Sequence, residues 1–208
     1  MELTLEPTLE TLVDACLRHR PPQGMAIVGV AGIPGSGKST LAARLAEALP
    51  DAAVLPMDGY HLRRDQLDEE GKRRRGAPWT FDAARFRQDL LQLRAAGEGV
   101  FPSFDHAVKD PVEGAIQVTS CTQWVIVEGL YLLLRDWNLW EVFDLTLFLD
   151  CDVDTAMRRV AERHEACGLA ADLAQALARV EQNDRVNANL ILHDGCPTRA
   201  TLRVRTDG

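Results

Sequence analysis

An apolar run at residues 25–30 leads directly into Gly32-Ile33-Pro34-Gly35-Ser36-Gly37-Lys38-Ser39, and residues 40–49 after it have helical spacing. A strand, a glycine-rich turn and a helix in that order commit the chain to an α/β fold organised around a parallel sheet. Glycines let the backbone curl so that successive N–H groups face inward, and the following helix adds its N-terminal amides to the same cradle for a polyphosphate. Within the motif, Lys38 is placed to reach the β- and γ-phosphates, and Ser39 to hold Mg²⁺ through its hydroxyl. The phosphate-binding set is therefore Gly32, Pro34, Gly35, Ser36, Gly37, Lys38, Ser39 and Thr40. The alternative is a glycine-rich turn that exposes a lysine.

Composition narrows the field. With 208 residues, 46% of them hydrophobic, the chain can bury one sizeable core and reads as a single domain over 1–208. A formal charge of −8 argues against a nucleic-acid partner, and the one dense basic run, Lys72-Arg73-Arg74-Arg75, is local. Five cysteines (Cys16, Cys121, Cys151, Cys167, Cys196) are scattered without a C-x-x-C pair, so neither zinc nor a disulfide framework is expected. A reducing, cytoplasmic setting fits that pattern. The N-terminus is acidic and no apolar run reaches the about 18 residues of a membrane span, so no signal peptide, anchor or membrane insertion is expected.

Along the chain, residues 8–18 have helical spacing, and Pro21-Pro22 closes them off. An apolar run at 52–57 ends in Asp58-Gly59-Tyr60-His61, where open α/β sheets place their chemistry. The charged stretch 62–80, with Gly71, Gly76 and Pro78, predicts a mobile loop, and 81–95 a helix. Residues 100–105 and 115–119 predict a small β-ribbon at the sheet's edge. Runs at 124–127, ending in Glu128, and 143–149, ending in Asp150, read as buried parallel strands, with apolar 131–134 packing at an element end. Helices over 153–167 and 171–186 and an edge-closing strand at 202–204 complete the pattern.

Several side chains then carry candidate chemistry. Asp58, following its strand in the same sheet as the phosphate loop, suits a general base that takes a proton from a substrate hydroxyl; the alternative is a turn-forming Asp-Gly. Glu128 suits an acid that orients Mg²⁺, directly or through water, or touches substrate; the alternative is a capping carboxylate. Arg159 and Arg163, four apart, share a helix face and can reach a transferring phosphoryl group, whereas Arg158 lies off that face; solvated charge interleaved with Glu162 and Glu165 is the competing reading. The basic run at 72–75 can attract ATP or an anionic substrate, or be an exposed charged loop. His61 and His106 suit substrate hydrogen bonding better than metal ligation, as does Asp105 unless it stabilises a turn.

Taken together, segments 32–40, 57–62, 76–82, 102–111 and 125–134 resemble the superfamily of phosphoribulokinase, uridine kinase and pantothenate kinase, with the resemblance running from about 26 to 192. Met-Asp-Gly-Tyr-His at 57–61, Gly-Ala-Pro-Trp-Thr-Phe-Asp at 76–82 and Val-Glu-Gly-Leu-Tyr-Leu-Leu-Leu at 127–134 are most similar to the bacterial group labelled fructose transport system kinases. Arg163-His164 with Gly168, and Asn183-Asp184 with Asn187, follow the same group. Uridine kinases instead carry an Asn-x-Asp-His-Pro type segment where this chain has Arg75-Gly76-Ala77-Pro78. The resemblance implies a P-loop NTPase fold, a parallel sheet flanked by helices with a small edge ribbon and a helical lid. It implies ATP and Mg²⁺, with Asp58 as base, Lys38 and Ser39 on phosphates and metal, Glu128 as second acid, and Arg159 or Arg163 in the lid. Asp82, which closes the 76–82 motif, joins Asp58, His61, Asp105, His106 and Glu128 as acceptor-side candidates. The expected activity is phosphorylation of a small-molecule hydroxyl, a sugar first, with a homodimer compatible. The alternatives are a pantothenate- or nucleoside-type kinase, or an ATP-binding regulator of a transport system that phosphorylates nothing.

Overall fold

The computed structural model describes residues 2–3, 8–105 and 107–206. In chain order its elements are β1 (Glu2–Leu3), α1 (Leu9–Arg18), β2 (Ala26–Gly32), α2 (Lys38–Ala48), β3 (Ala52–Pro56), α3 (Glu69–Arg73), α4 (Ala83–Ala96), β4 (Gly99–Asp105), β5 (Asp110–Val118), β6 (Trp124–Gly129), β7 (Leu145–Asp150), α5 (Val153–Ala166), α6 (Leu173–Gln182), α7 (Asp184–His193), α8 (Cys196–Arg199) and β8 (Leu202–Arg205). β2 is buried along its whole length, as a strand covered by helices on both faces must be. It pairs in parallel with β6 on one side and β7 on the other. The full sheet has the order β1-β8-β7-β2-β6-β3 with every pairing parallel.

The alternation of side chains along the strands sorts the core into two layers. Ala26, Val28 and Val30 of β2 join Ile126 and Leu147 under α1 and α2, against Leu12, Cys16 and Leu45. Ile27 and Ala31 face the other way and join Val125, Val127 and Phe148 under the α4 and α5–α7 helices, against Phe86, Leu90, Met157, Val160 and Ile191. Each Val, Leu, Ile, Met or Phe among these contributes about 2 kcal/mol of burial, so the sheet's register is fixed from both faces. The strand order reverses direction around β2, and there the carboxyl ends of β2, β3, β6 and β7 open a crevice.

The structure contains the expected small antiparallel ribbon and changes three other expectations. β4 and β5 form that ribbon as their own two-stranded sheet, close to the edge strand β3. Segment 62–80 is a structured connection: Asp68 caps α3 by accepting from the Gly71 amide at 2.7 Å, and His61 forms an antiparallel bridge to Phe81. Its charged residues find partners on neighbouring elements, which composition alone does not reveal. The helix expected over 171–186 breaks at Asn183, whose backbone (φ −127°, ψ −64°) turns the chain between α6 and α7. Finally, β8 lies between β7 and β1 and so does not form the edge.

The hairpin of β4 and β5 is seated against the turn that follows β3. Gly59 makes this approach available, since a Cβ there would lie 2.3 Å from the carbonyl oxygen of Pro102. Backbone cannot yield as a side chain does. Gly59→Ala is therefore expected to lower stability by about 1–3 kcal/mol, read from the midpoint of a urea melt.

Candidate active site

The loop between β2 and α2 owes its shape to two left-handed glycines. Gly35 (φ +78°) packs under α5, where a Cβ would lie 2.2 Å from the carbonyl oxygen of Ala156. Gly37 (φ +93°) precedes α2 and supplies no side-chain cap, so the helix presents its first amides to the loop. Ser36 is buried and its Oγ has no hydrogen-bond partner among the described residues. Inside this cradle Lys38 Nζ donates to the Ile33 carbonyl at 2.8 Å. Burial pushes the Lys38 ammonium down to about 8; the charges of Glu128, Asp58 and Cys151 oppose that shift, and Arg163 adds to it.

Two acids face this lysine from adjacent strand ends. Asp58 sits in the 3₁₀ turn Met57–Tyr60 directly after β3, and Glu128 is the penultimate residue of β6, in register with Pro56 and Val30 on its neighbours. Burial raises the Glu128 carboxyl, the charge of Asp58 raises it further, and Lys38 and a hydrogen bond with the Ser39 side chain act the other way. Lys38, Ser39, Asp58 and Glu128 thus form one coupled group at the mouth of the phosphate loop. A hydroxyl and a carboxylate that act on one another beside an amide cradle are the hard oxygen donors that Mg²⁺ prefers.

The helices after β7 complete the rim. Arg163 of α5 is exposed and acts electrostatically on both Lys38 and Asp184. Arg159 reaches back, with Nη1 3.7 Å from the Cys151 sulfur, and Arg158 is exposed. Burial raises the carboxyl of Asp184, while Arg163, Arg179 and Arg74 pull it down.

Among the acceptor-side candidates, His61 caps the turn that carries Asp58 and stacks on Phe81, with ring centroids 3.9 Å apart. Asp82 is engaged in capping α4, accepting from the Arg85 amide at 2.9 Å. Asp105 accepts from the amides of Ala107 and Val108 at 2.7 and 3.1 Å, which is the turn-stabilising alternative. His106 lies outside the described residues. Residue patterns alone did not single out Tyr131, whose hydroxyl donates to the Gly76 carbonyl at 2.6 Å, together with Asn187 Nδ2 at 3.2 Å. Asn183 Nδ2 donates to the Arg75 carbonyl at 3.1 Å. The signal for these contacts was the Asn-Asp and later Asn of the resemblance, which named the residues and gave them no partner.

Comparison with known proteins identifies the family of the fold. The AAA_18 family, described as an AAA domain, matches residues 28–185. A relative in Schizosaccharomyces pombe described as a "putative uridine kinase" is 38% identical over 84% of this chain and 80% of its own length. The chain belongs to the AAA_18 family of P-loop kinase domains. The ATP-dependent kinase YFH7 of Eremothecium gossypii is 33% identical over 81% of this kinase, which spans only 62% of the fungal protein. A solved structure from Silicibacter sp. TM1040, described as a "putative fructose transport system kinase", superposes with a TM-score of 0.86 at 34% identity, covering 95% of this chain and 98% of that one. No helix among the described residues is long and apolar enough to cross a membrane.

The buried lysine gives this kinase a pH signature. A bound triphosphate favours the ammonium form, whereas burial in the free protein favours the amine above about pH 8. Binding of ATP is therefore expected to take up a proton at pH 8.5 and to weaken as pH rises further. Titration calorimetry in buffers of differing ionisation enthalpy measures the uptake, and Lys38→Gln should abolish it.

Proposed function

We propose that this kinase transfers the γ-phosphoryl group of ATP to a hydroxyl of a small metabolite, a sugar of the fructose type. The observation that carries the reading is the position of Asp58: a carboxylate on a short turn at the carboxyl end of β3, within electrostatic reach of Lys38 and Glu128. A nucleotide-binding switch has no use for a base there; a kinase needs one beside the acceptor oxygen. The sugar assignment leans on the likeness to the Silicibacter protein and its printed description.

In this mechanism Asp58 accepts the proton of the attacking hydroxyl as its oxygen bonds to the γ-phosphorus. The bond from that phosphorus to the β–γ bridging oxygen breaks, and ADP leaves with the electron pair. Lys38 and the loop amides hold the phosphate oxygens, and Arg163, on the rim, reaches the transferring group. Ser39 and Glu128 are the residues that would hold Mg²⁺, which when bound neutralises charge on two phosphates. Lys38 is buried, so its charge acts in a medium where it is worth more than in water.

A nucleoside acceptor is the second reading, favoured by the 38% identity to the relative described as a uridine kinase. ADP release coupled to a reporter, with sugars, pantothenate and uridine offered in turn, separates the two. Asp58→Asn is expected to cut acceptor-stimulated release by about 10²–10⁴ while leaving ATP affinity nearly unchanged. Full activity in that variant removes Asp58 as the base, and ATP binding without stimulation by any acceptor favours a regulator.

A further inference from the structure

The basic run Lys72-Arg73-Arg74-Arg75 is a dense block of like charge that the phosphate site does not use. In the structure each member has a partner. Lys72 Nζ pairs with Glu69 Oε1 at 2.8 Å, and Arg73 with Glu70. Arg74 donates to the Gln182 carbonyl at 2.7 Å and to Asn187 Oδ1 at 3.3 Å, and lies over Trp79 on the α7 side. Arg75 pairs with Asp110 at the foot of β5, Nη2 to Oδ1 at 2.7 Å.

Arg75 is the member that borders the acceptor side. Its guanidinium lies 5.5 Å from the centroid of Phe104, which lies 5.2 Å from the His61 ring, and His61 caps the turn of Asp58. The guanidinium is held there by both terminal nitrogens: Nη1 donates to the Lys109 carbonyl, and Nη2 to the Leu62 carbonyl at 2.8 Å as well as to Asp110, while Nε is buried without a hydrogen-bond partner among the described residues. The Arg75 and Asp110 side chains are only 15% and 16% exposed, so water screens their attraction weakly. Asp110 also accepts from the Arg64 amide at 3.0 Å, which fixes it in place. Beside the pair, His61 Nδ1 is shielded from solvent and has no hydrogen-bond partner among the described residues. Burial lowers the His61 imidazole from its usual range, with Arg75 acting the same way and Asp58 and Asp110 opposing.

We infer that the Arg75–Asp110 pair is a charge filter: with its guanidinium cancelled, the wall beside Asp58 takes a hydroxylated acceptor that carries neither phosphate nor carboxylate. An anionic acceptor would meet the carboxylate of Asp58, and the Arg75 guanidinium that could offset the repulsion is already paired with Asp110. A neutral polyol or nucleoside meets no such penalty beside the ring of Phe104. The inference rests on the kinase reading and narrows its acceptor.

The test has two arms on the full chain. In the first, the protein saturated with Mg²⁺ and AMP-PNP is titrated with inorganic phosphate by calorimetry. Wild type is expected to show no binding, Asp110→Asn to gain it, and the Asp110→Asn/Arg75→Gln double variant to lose it again. Asparagine can still accept from Arg75 and Arg64, and Asp110→Ser is the second variant if Asp110→Asn does not fold. In the second arm, fructose is compared with fructose 6-phosphate, and glycerol with glycerate, by ADP release. The neutral member is expected to win by about tenfold or more in kcat/KM, and Asp110→Asn to narrow that ratio. Phosphate binding by wild type that Arg75→Gln abolishes, preference for the anionic member, or no gain in a folded Asp110 variant would each overturn the filter. Silence of every acceptor in the second arm counts against the kinase reading alone, because the phosphate titration decides the filter without catalysis.

Discussion

The arrangement depends on one buried ammonium. Lys38 sits in the phosphate loop with 8% of its surface exposed, a position that favours the neutral amine. The carboxylates of Glu128 and Asp58 hold the charge in place, and Glu128 in turn is raised by its own burial and by Asp58 and relieved by Lys38 and Ser39. No member of the group is comfortable alone. Three strand ends must therefore close around one point, and the parallel pairing of β2, β6 and β3 sets their spacing. The close approaches at Gly35 and Gly59 follow, because α5 and the hairpin can reach that point only where no Cβ intervenes.

The other end of the crevice is built on different forces. Stacking of His61 on Phe81, contact with Phe104 and the Tyr131 hydroxyl on Gly76 bind segment 62–80 to the hairpin and to the end of β6. Asn183, between α6 and α7, and Asn187 of α7 donate to the carbonyls of Arg75 and Gly76, so these helices share one anchor with segment 62–80. The loop end of the proposed site thus relies on interacting buried charges, and the proposed acceptor end on aromatic packing and paired charges. The division suits a reaction in which all the negative charge to be stabilised arrives with the nucleotide.

Much of this was legible in the sequence because its determinants are local. The continuous apolar runs of β2, β6 and β7 announce strands covered on both faces, and Gly37-Lys38-Ser39 announces the amide cradle whatever the rest of the fold does. Asp58 and Glu128 were readable as acids at strand ends. Segment 62–80 was misread because its stability is long-range: a charged stretch with three structure-breaking residues looks mobile until Arg75 meets Asp110 and His61 meets Phe81. The break at Asn183 was hidden for a similar reason, since α6 and α7 have continuous helical spacing and the turn is set by the side chain's bond to the Arg75 carbonyl.

The sequence by itself determined the parallel α/β fold and the phosphate loop, since both are written in short-range periodicity and in glycines that only one backbone path uses. Tertiary structure alone decided which charges remain available. Whether an arginine attracts a ligand or is silenced by a carboxylate depends on a partner dozens of residues away, brought within hydrogen-bond distance by the packing of the hairpin on the turn of Asp58.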